Sequence, residues 1–365
     1  MRSPQPRTDT VAVPTEAKHL EAGARELLSQ ATFDFIAGGA GAELTLADNQ
    51  AAFQRARLMP QHLRGVETVD SSTRLLGLEL SAPILVAPMA LHRLVHSDGE
   101  RGMARATRRA GLAMIASTAA SESIEEMATE RCPIWFQVYM QRDRDVTQDL
   151  VERAVSSGAT ALCLTVDTPV PGLRRRDQVN GFSLPPGIEY ANLERYNRLP
   201  GSGKYGAAHD RSATWADVEW LRSISGLPVV VKGILTVADA HEAIANGAAG
   251  VLVSNHGGRQ LDGVPATLDV LPGIAEAVAD RGAVLVDSGI RQASDVAIAL
   301  CLGADAVLIG RPALWALACG GTSCAEAFLG GLVDELVHTM TLLGVRTVDE
   351  LGPEFVQAAT RGRAG

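Results

Sequence analysis

Cysteine is scarce in this chain and follows no pattern. The five present in 365 residues (Cys132, Cys163, Cys301, Cys319 and Cys324) are odd in number and contain no C-x-x-C pair. Neither a disulfide framework nor a zinc site is indicated, and reduced, mostly buried thiols are expected. Basic excess is also missing. A formal net charge of −9 argues against a nucleic-acid partner, because binding phosphates without sequence preference needs a basic surface. It does not argue against an anionic small molecule, since a few arginines converging in one cleft make the local potential positive whatever the total. No apolar run approaches the roughly 20 residues that span a bilayer, and the polar opening Met1–Thr10 lacks a signal peptide's apolar segment. A cytoplasmic protein with no membrane partner is expected. There is no low-complexity tract and no G-x-G-x-x-G turn after the first strand-like run.

What the chain does have is apolar residues, 46% of the total, enough for a large core. Eight short apolar runs recur: Pro83–Ala87, Ala113–Ala116, Ile134–Val138, Ala161–Val166, Pro228–Lys232, Gly250–Val253, Ala283–Val286 and Ala306–Ile309. Between them lie helix-period segments at Arg101–Ala110, Ser123–Thr129, Val146–Ser156, Trp215–Ser225, Ala238–Ala245, Val270–Ala279 and Ala293–Leu302. The alternation implies a parallel sheet, and eight continuous, mostly non-alternating strands point to an α/β fold closed as a (β/α)₈ TIM barrel. An open doubly wound sheet is the alternative. Residues 1–80 precede the first strand and include a helix near Glu16–Gln30 and the glycine-rich Ala37–Ala42; residues 1–15 are expected to be disordered. The connection 168–214, too long for an ordinary βα loop, reads as an active-site cover or a non-catalytic insertion, in one domain over 1–365.

Barrels place their chemistry at the C-terminal strand ends. There the chain puts Pro88-Met89-Ala90, Ser117, Gln137 with Tyr139, Thr165 with Asp167, Lys232, Ser254 with His256, Asp287 to Arg291, and Gly310-Arg311. The most informative stretch is Ser254-Asn255-His256-Gly257-Gly258-Arg259-Gln260-Leu261-Asp262. A proton acceptor three residues from a fixed cation suits oxidation of a hydroxy acid: the base takes the hydroxyl proton while the guanidinium holds the carboxylate. After strands seven and eight, Asp287-Ser288-Gly289-Ile290-Arg291 and Gly310-Arg311-Pro312 occupy the positions where barrels commonly bind a phosphate, with Arg291 and Arg311 as its clamp.

These residues carry a resemblance. From about Phe33 to Leu343 the chain resembles the FMN-dependent 2-hydroxy-acid oxidases and dehydrogenases, the group of glycolate oxidase, lactate oxidase and mandelate dehydrogenase, and it is most like the mandelate-type oxidases. Supporting motifs are Leu164–Pro169, Trp135–Tyr139, Val231–Gly233, Asp98–Glu100 and Ile309–Pro312. The resemblance implies an FMN cofactor and makes His256 the base, Asp167 the partner of its imidazolium, and Arg259 and Arg174 the carboxylate ligands, with Tyr139 near the reacting hydroxyl. Only its spacing from Asp167 and Gly172 singles out Arg174 from the run Arg174–Asp177, which otherwise reads as a solvated face. Lys232 would sit by the N1/C2 carbonyl edge of the flavin. Ser117, Gln137, Thr165 and Ser254 would meet its polar rim, and Pro88, Met89 and Ala90 its face. Asp287, Ser288, Gly289, Arg291, Gly310 and Arg311 would hold ribityl and phosphate. A homotetramer is implied by the resemblance alone.

Two departures concern substrate. Phe35 stands where short-chain oxidases of this family commonly carry a tyrosine whose hydroxyl touches the carboxylate, a lost hydrogen bond worth roughly 1.5–3 kcal/mol. Ala119 stands where glycolate oxidase has a tryptophan, leaving room for a larger side chain. Together they favour an aromatic or longer aliphatic 2-hydroxy acid. Ala90 in place of glycine tilts the acceptor towards O2, with hydrogen peroxide as co-product; a quinone, carrier protein or dye is the alternative. An FMN barrel with isomerase or amine-oxidising chemistry, or a non-catalytic flavin binder, would be the competing readings.

Overall fold

The computed structural model describes residues 16–196 and 209–357. Eight strands form one closed barrel in sequential order, every neighbour parallel: β1 Ile84–Val86, β2 Ala113–Ser117, β3 Ile134–Val138, β4 Leu162–Thr165, β5 Val229–Ile234, β6 Gly250–Val253, β7 Ala283–Val286 and β8 Ala306–Ile309. The expected (β/α)₈ barrel is therefore the fold.

Side chains alternate across each strand, yet both faces are apolar because both are buried. In β6, Leu252 points into the barrel, where it packs with Leu85, Ile115, Trp135, Cys163, Val230, Leu285 and Leu308. Val251 and Val253 face the helical ring instead. This two-sided burial is why the strands read as continuous apolar runs. A hairpin, Thr73–Leu75 with Leu78–Leu80, adds Leu75 and Leu80 to the interior cluster.

The helices of the ring start and stop within a few residues of the expected segments: Gly99–Arg109, Ile124–Ala128, Arg144–Ser156, Ala216–Ser225, Val237–Ala245, Thr267–Val278 and Ala293–Cys301. Local chemistry sets several of these ends. Ser123 and Glu126 form a reciprocal capping box, and the Thr236 hydroxyl accepts from Asp239 N. The last helix, Arg311–Leu343, was not anticipated by the periodicity. It is broken at Gly320–Gly321 and packs on Gly99–Arg109 and Ala17–Leu27. Among the described residues it is the one helix long and apolar enough to cross a bilayer by length and composition, and 56% of that apolar window is buried inside the protein.

Before the barrel, helices Ala17–Leu27, Gln30–Ala37 and Leu44–Arg55 run beside its C-terminal end, with Ser29 capping the second through Thr32 N. The connection after β4 includes a short helix, Arg175–Val179, and a turn at Glu194–Tyr196. Part of the expected cover, 197–208, and the segment 1–15 lie outside the described residues.

Candidate active site

A cavity of about 700 Å³ opens at the C-terminal strand ends, within the 300–1,000 Å³ range of small-molecule sites. Its wall comes from three sources: the strand-end residues, the helix Gln30–Ala37, and the connection after β4.

The turn after β6 is built under strain. His256, Gly257 and Gly258 take φ values of 59°, 66° and 74°, and a non-glycine residue in this left-handed region costs on the order of 1–2 kcal/mol. A Cβ at Gly258 would lie 2.6 Å from Leu46 N, so only glycine fits there. Hydrogen bonds hold the turn: His256 N donates to Ser254 Oγ (3.1 Å), Gly257 N to Ser288 Oγ (3.0 Å) and Gly258 N to Asn255 Oδ1 (3.0 Å). The outcome is that the His256 ring meets Asp167, with Nδ1 3.0 and 3.2 Å from the two carboxylate oxygens. Gly233 makes space for that carboxylate, since a Cβ there would sit 2.8 Å from Asp167 Cβ.

Burial pushes the His256 imidazole down, the Lys232 ammonium pushes it further, and Asp167 offsets part of this. Asp167, expected as the partner of the imidazolium, does raise the imidazole, but burial and the Lys232 charge outweigh it. Asp167 is held below the usual carboxylate range: burial raises it, and the His256 and Lys232 charges overcome that rise. Lys232, 3% exposed, donates to Ser254 Oγ (2.9 Å) and lies 3.6 Å from Asp287 Oδ2. Burial alone would lower its pKa, but Asp287 and Asp167 raise it well above the usual value, so its charge persists in the barrel mouth.

Ladder register sets Ser117 beside Gln137, and Thr165 beside Lys232. Gln137 Oε1 accepts from Ser117 Oγ (3.2 Å), but Gln137 Nε2 and Thr165 Oγ1 are buried with no hydrogen-bond partner among the described residues. Such orphaned polar atoms are costly unless a ligand meets them. Ser117 and Lys232 line the cavity together with Pro88, Met89 and Ala90; Gln137, Thr165, Ser254 and Asp167 stand behind the wall.

At the other end lie Asp287–Arg291 and Gly310-Arg311, all on the wall. Arg291 donates to Ile290 O (2.9 Å) and covers the Trp315 ring at 5.4 Å; Arg311 donates to Ile36 O (3.0 Å), Gly38 O (3.2 Å) and Gly257 O (2.9 Å). Both guanidiniums are held by neutral groups, with no carboxylate within 4.0 Å among the described residues. Burial and the neighbouring Arg291 charge push Arg311 down to about 9. Two half-buried cations at a helix N-terminus form a pocket for an anionic group such as phosphate. The orphaned rim atoms, the Lys232 cation and this anion pocket fit a flavin mononucleotide.

The third zone gathers Arg259, Arg174, Phe35 and Tyr139. Arg259 donates to Gly38 O (2.8 Å) and Ile36 O (3.2 Å), and Arg174 pairs with Asp177 at 3.1 Å. Both guanidiniums sit over the Phe35 ring, at 5.4 and 5.5 Å. Phe35 is stacked in turn on Phe182, centroids 4.3 Å apart. Tyr139 stacks on His209 at 4.5 Å, and His209 Nδ1 lies 3.1 Å from Thr168 O.

Ala119 is not brought to the cavity. It is 1% exposed, and the connection after β4 occupies the space: Ala191 N donates to Ala120 O, and Asn192 Nδ2 to Ser117 O. Sequence reasoning also missed Asp177, Phe182, Leu184, Tyr190 and His209, all on the wall and all in that connection. Its lack of periodicity hid them; their aromatic and charged character in a glycine-rich stretch was the one available signal.

Residues 24–358 match the family described as FMN-dependent dehydrogenase. An L-lactate oxidase from Nostoc sp. is 43% identical over 95% of this chain and 99% of its own length, and 2-hydroxyacid oxidase 1 from Homo sapiens is 43% identical over 92% and 95%. Among solved structures, mandelate oxidase with 3,3-difluoro-2-hydroxy-3-phenylpropionic acid superposes with a TM-score of 0.89 at 40% identity, covering 95% of this chain and all of the other. With a family match across nearly the whole length and a barrel mouth that fits the cofactor, the chain belongs to the FMN-dependent dehydrogenase family, in its 2-hydroxy-acid oxidase group, with FMN as its cofactor.

Proposed function

We propose that this enzyme oxidises a 2-hydroxy acid with an aromatic or longer aliphatic side chain to the 2-oxo acid, with O2 as acceptor and hydrogen peroxide as co-product. The observation that carries the reading is that His256, paired with Asp167 behind it at 3.0 Å, faces the same cavity as Arg174 and Arg259, which are stacked on an aromatic wall. Bound FMN supplies the hydride acceptor.

The chain's own residues do the rest. Arg259 and Arg174 hold the substrate carboxylate, and Tyr139 orients the hydroxyl. Asp167, on Nδ1, leaves Nε2 of the neutral His256 ring as the acceptor for the hydroxyl proton, and balances the imidazolium that forms. Base catalysis of this kind is typically worth about 10²–10⁴-fold. Pro88, Met89, Ala90, Ser117, Gln137, Thr165, Lys232 and Ser254 would hold the flavin ring, and Asp287, Ser288, Gly289, Arg291, Gly310 and Arg311 would hold its ribityl and phosphate. The Lys232 cation would stabilise negative charge beside it.

The preference for a large side chain rests on Phe35, which has no hydroxyl for the carboxylate, and on the Phe35–Phe182 stack with Leu184 nearby on the wall. Ala119, buried away from the cavity, no longer supports it. L-Mandelate, a long-chain 2-hydroxy acid, L-lactate and glycolate, each added anaerobically to the purified yellow protein, test the proposal. Fastest bleaching by the first two, then colour recovery with peroxide release on admitting air, is expected. Faster bleaching by glycolate or lactate overturns the preference, and recovery only with a quinone or dye overturns the acceptor.

A further inference from the structure

Arg176 belongs to the run Arg174–Asp177 that reads in the sequence as a solvated face, and the fold puts it to a different use. Its guanidinium pairs with Asp34 (3.3 Å) and Glu43, two carboxylates more than 130 residues away in the chain. Asp34 is 11% exposed in its side chain and also accepts from Gln30 Nε2 (2.7 Å) and Asn180 Nδ2 (2.8 Å). Burial pushes its carboxyl up, but these three donors outweigh that and hold it below the usual range, so the charge opposing Arg176 is kept.

Each element in this arrangement carries a group of the proposed substrate site. Asp34 precedes Phe35, and Asn180 lies two residues before Phe182, so the ionic contacts sit directly behind the aromatic stack. The helix Arg175–Val179 has five residues, exposes Arg175 and Val179, and buries none, far too little to stand alone. Arg174 is its N-cap. The stem of Arg176 lies against Gly38, where a Cβ would approach it to 3.3 Å, and the Gly38 carbonyl is the acceptor for both Arg259 and Arg311.

We propose that Arg176 is a positioning residue: it clasps the connection after β4 to the helix Gln30–Ala37 through Asp34 and to the start of the helix Leu44–Arg55 through Glu43, and so fixes Arg174 and the Phe35–Phe182 wall for the substrate. The inference rests on the proposed role of Arg174 and Arg259 as carboxylate ligands. Because the clasp touches neither His256 nor Asp167, its loss acts on binding and leaves the proton transfer intact.

The test compares Arg176→Met, Arg176→Lys and Arg176→Met with Asp34→Asn in the FMN-loaded enzyme. For Arg176→Met, KM for L-mandelate is expected to rise about tenfold with kcat within about twofold and FMN content unchanged. Trypsin should cut within Arg174-Arg175 several-fold faster, since the site sits in a released loop. Arg176→Lys restores most of both, and the double variant adds little to the single one because the two residues share one interaction. Unchanged KM and trypsin rates overturn the proposal, as does a fall in kcat at constant KM, or a lysine variant as impaired as the methionine one. If no 2-hydroxy acid bleaches the wild-type flavin, the proposed reaction fails, and the trypsin rates alone then decide the clasp.

Discussion

The strand ends and the connection after β4 face one cavity but hold their groups by different means. His256, Asp167, Lys232 and Ser254 follow strands whose register fixes them against one another, and their partners sit on neighbouring or next-neighbouring strands. Arg174, Phe182, Tyr190 and His209 hang on a segment whose described residues form only a five-residue helix and a short turn, held by contacts to distant parts of the chain: Phe182 on Phe35, Ala191 on Ala120, Arg176 on Asp34. A ladder leaves little freedom, whereas a loop can be reshaped at small cost to the core. In the proposed mechanism, proton transfer and charge stabilisation fall to the rigid half, and the shape of the substrate site to the adaptable half.

That division can be broken by experiment. The largest expected effect is in the rigid half: His256→Ala should keep its FMN and lose turnover by at least about 10² on every acid tested. Turnover at the wild-type level would remove the histidine from the chemistry. Asp167→Asn should lower kcat at least about tenfold and move the pH profile. The imidazole must be neutral to accept a proton, and its pKa is already depressed, so the acid limb of kcat/KM should fall below pH 6.5. Removing the Asp167 charge deletes a contribution that raises the imidazole pKa, so the limb should shift to still lower pH. A shift to higher pH would contradict the assignment. Smaller effects, confined to selectivity, are expected in the adaptable half. Phe182→Leu should reduce the preference for mandelate over lactate roughly three- to tenfold in kcat/KM, the worth of one aromatic pair. Phe35→Tyr should raise the relative rate on glycolate about tenfold by returning a hydrogen bond to the carboxylate. Equal losses on all substrates from Phe182→Leu would erase the distinction between the two halves.

Most of the rigid half was legible before any coordinates. Continuous apolar runs gave all eight strands, because a strand buried on both faces has no polar alternation to blur it, and the polar residues closing those runs gave the barrel-mouth residues. The adaptable half was legible only in part. Arg174 was picked out by spacing, but its neighbour Arg176 looked solvated because its partners, Asp34 and Glu43, precede it by more than 130 residues. Ala119 failed for the converse reason: a small residue implies space only where no backbone fills it, and Ala191–Asn192 do.

The sequence by itself determined the barrel and the chemical identity of the groups at the strand ends, since both follow from local periodicity and from residue types a few positions apart; the cofactor class came from the family resemblance that those residues carry. Tertiary structure alone decided the direction of the His256 shift, the burial of Ala119, the Phe35–Phe182 stack and the place of Arg176. These depend on desolvation and on contacts between segments far apart in the chain, which no local pattern encodes.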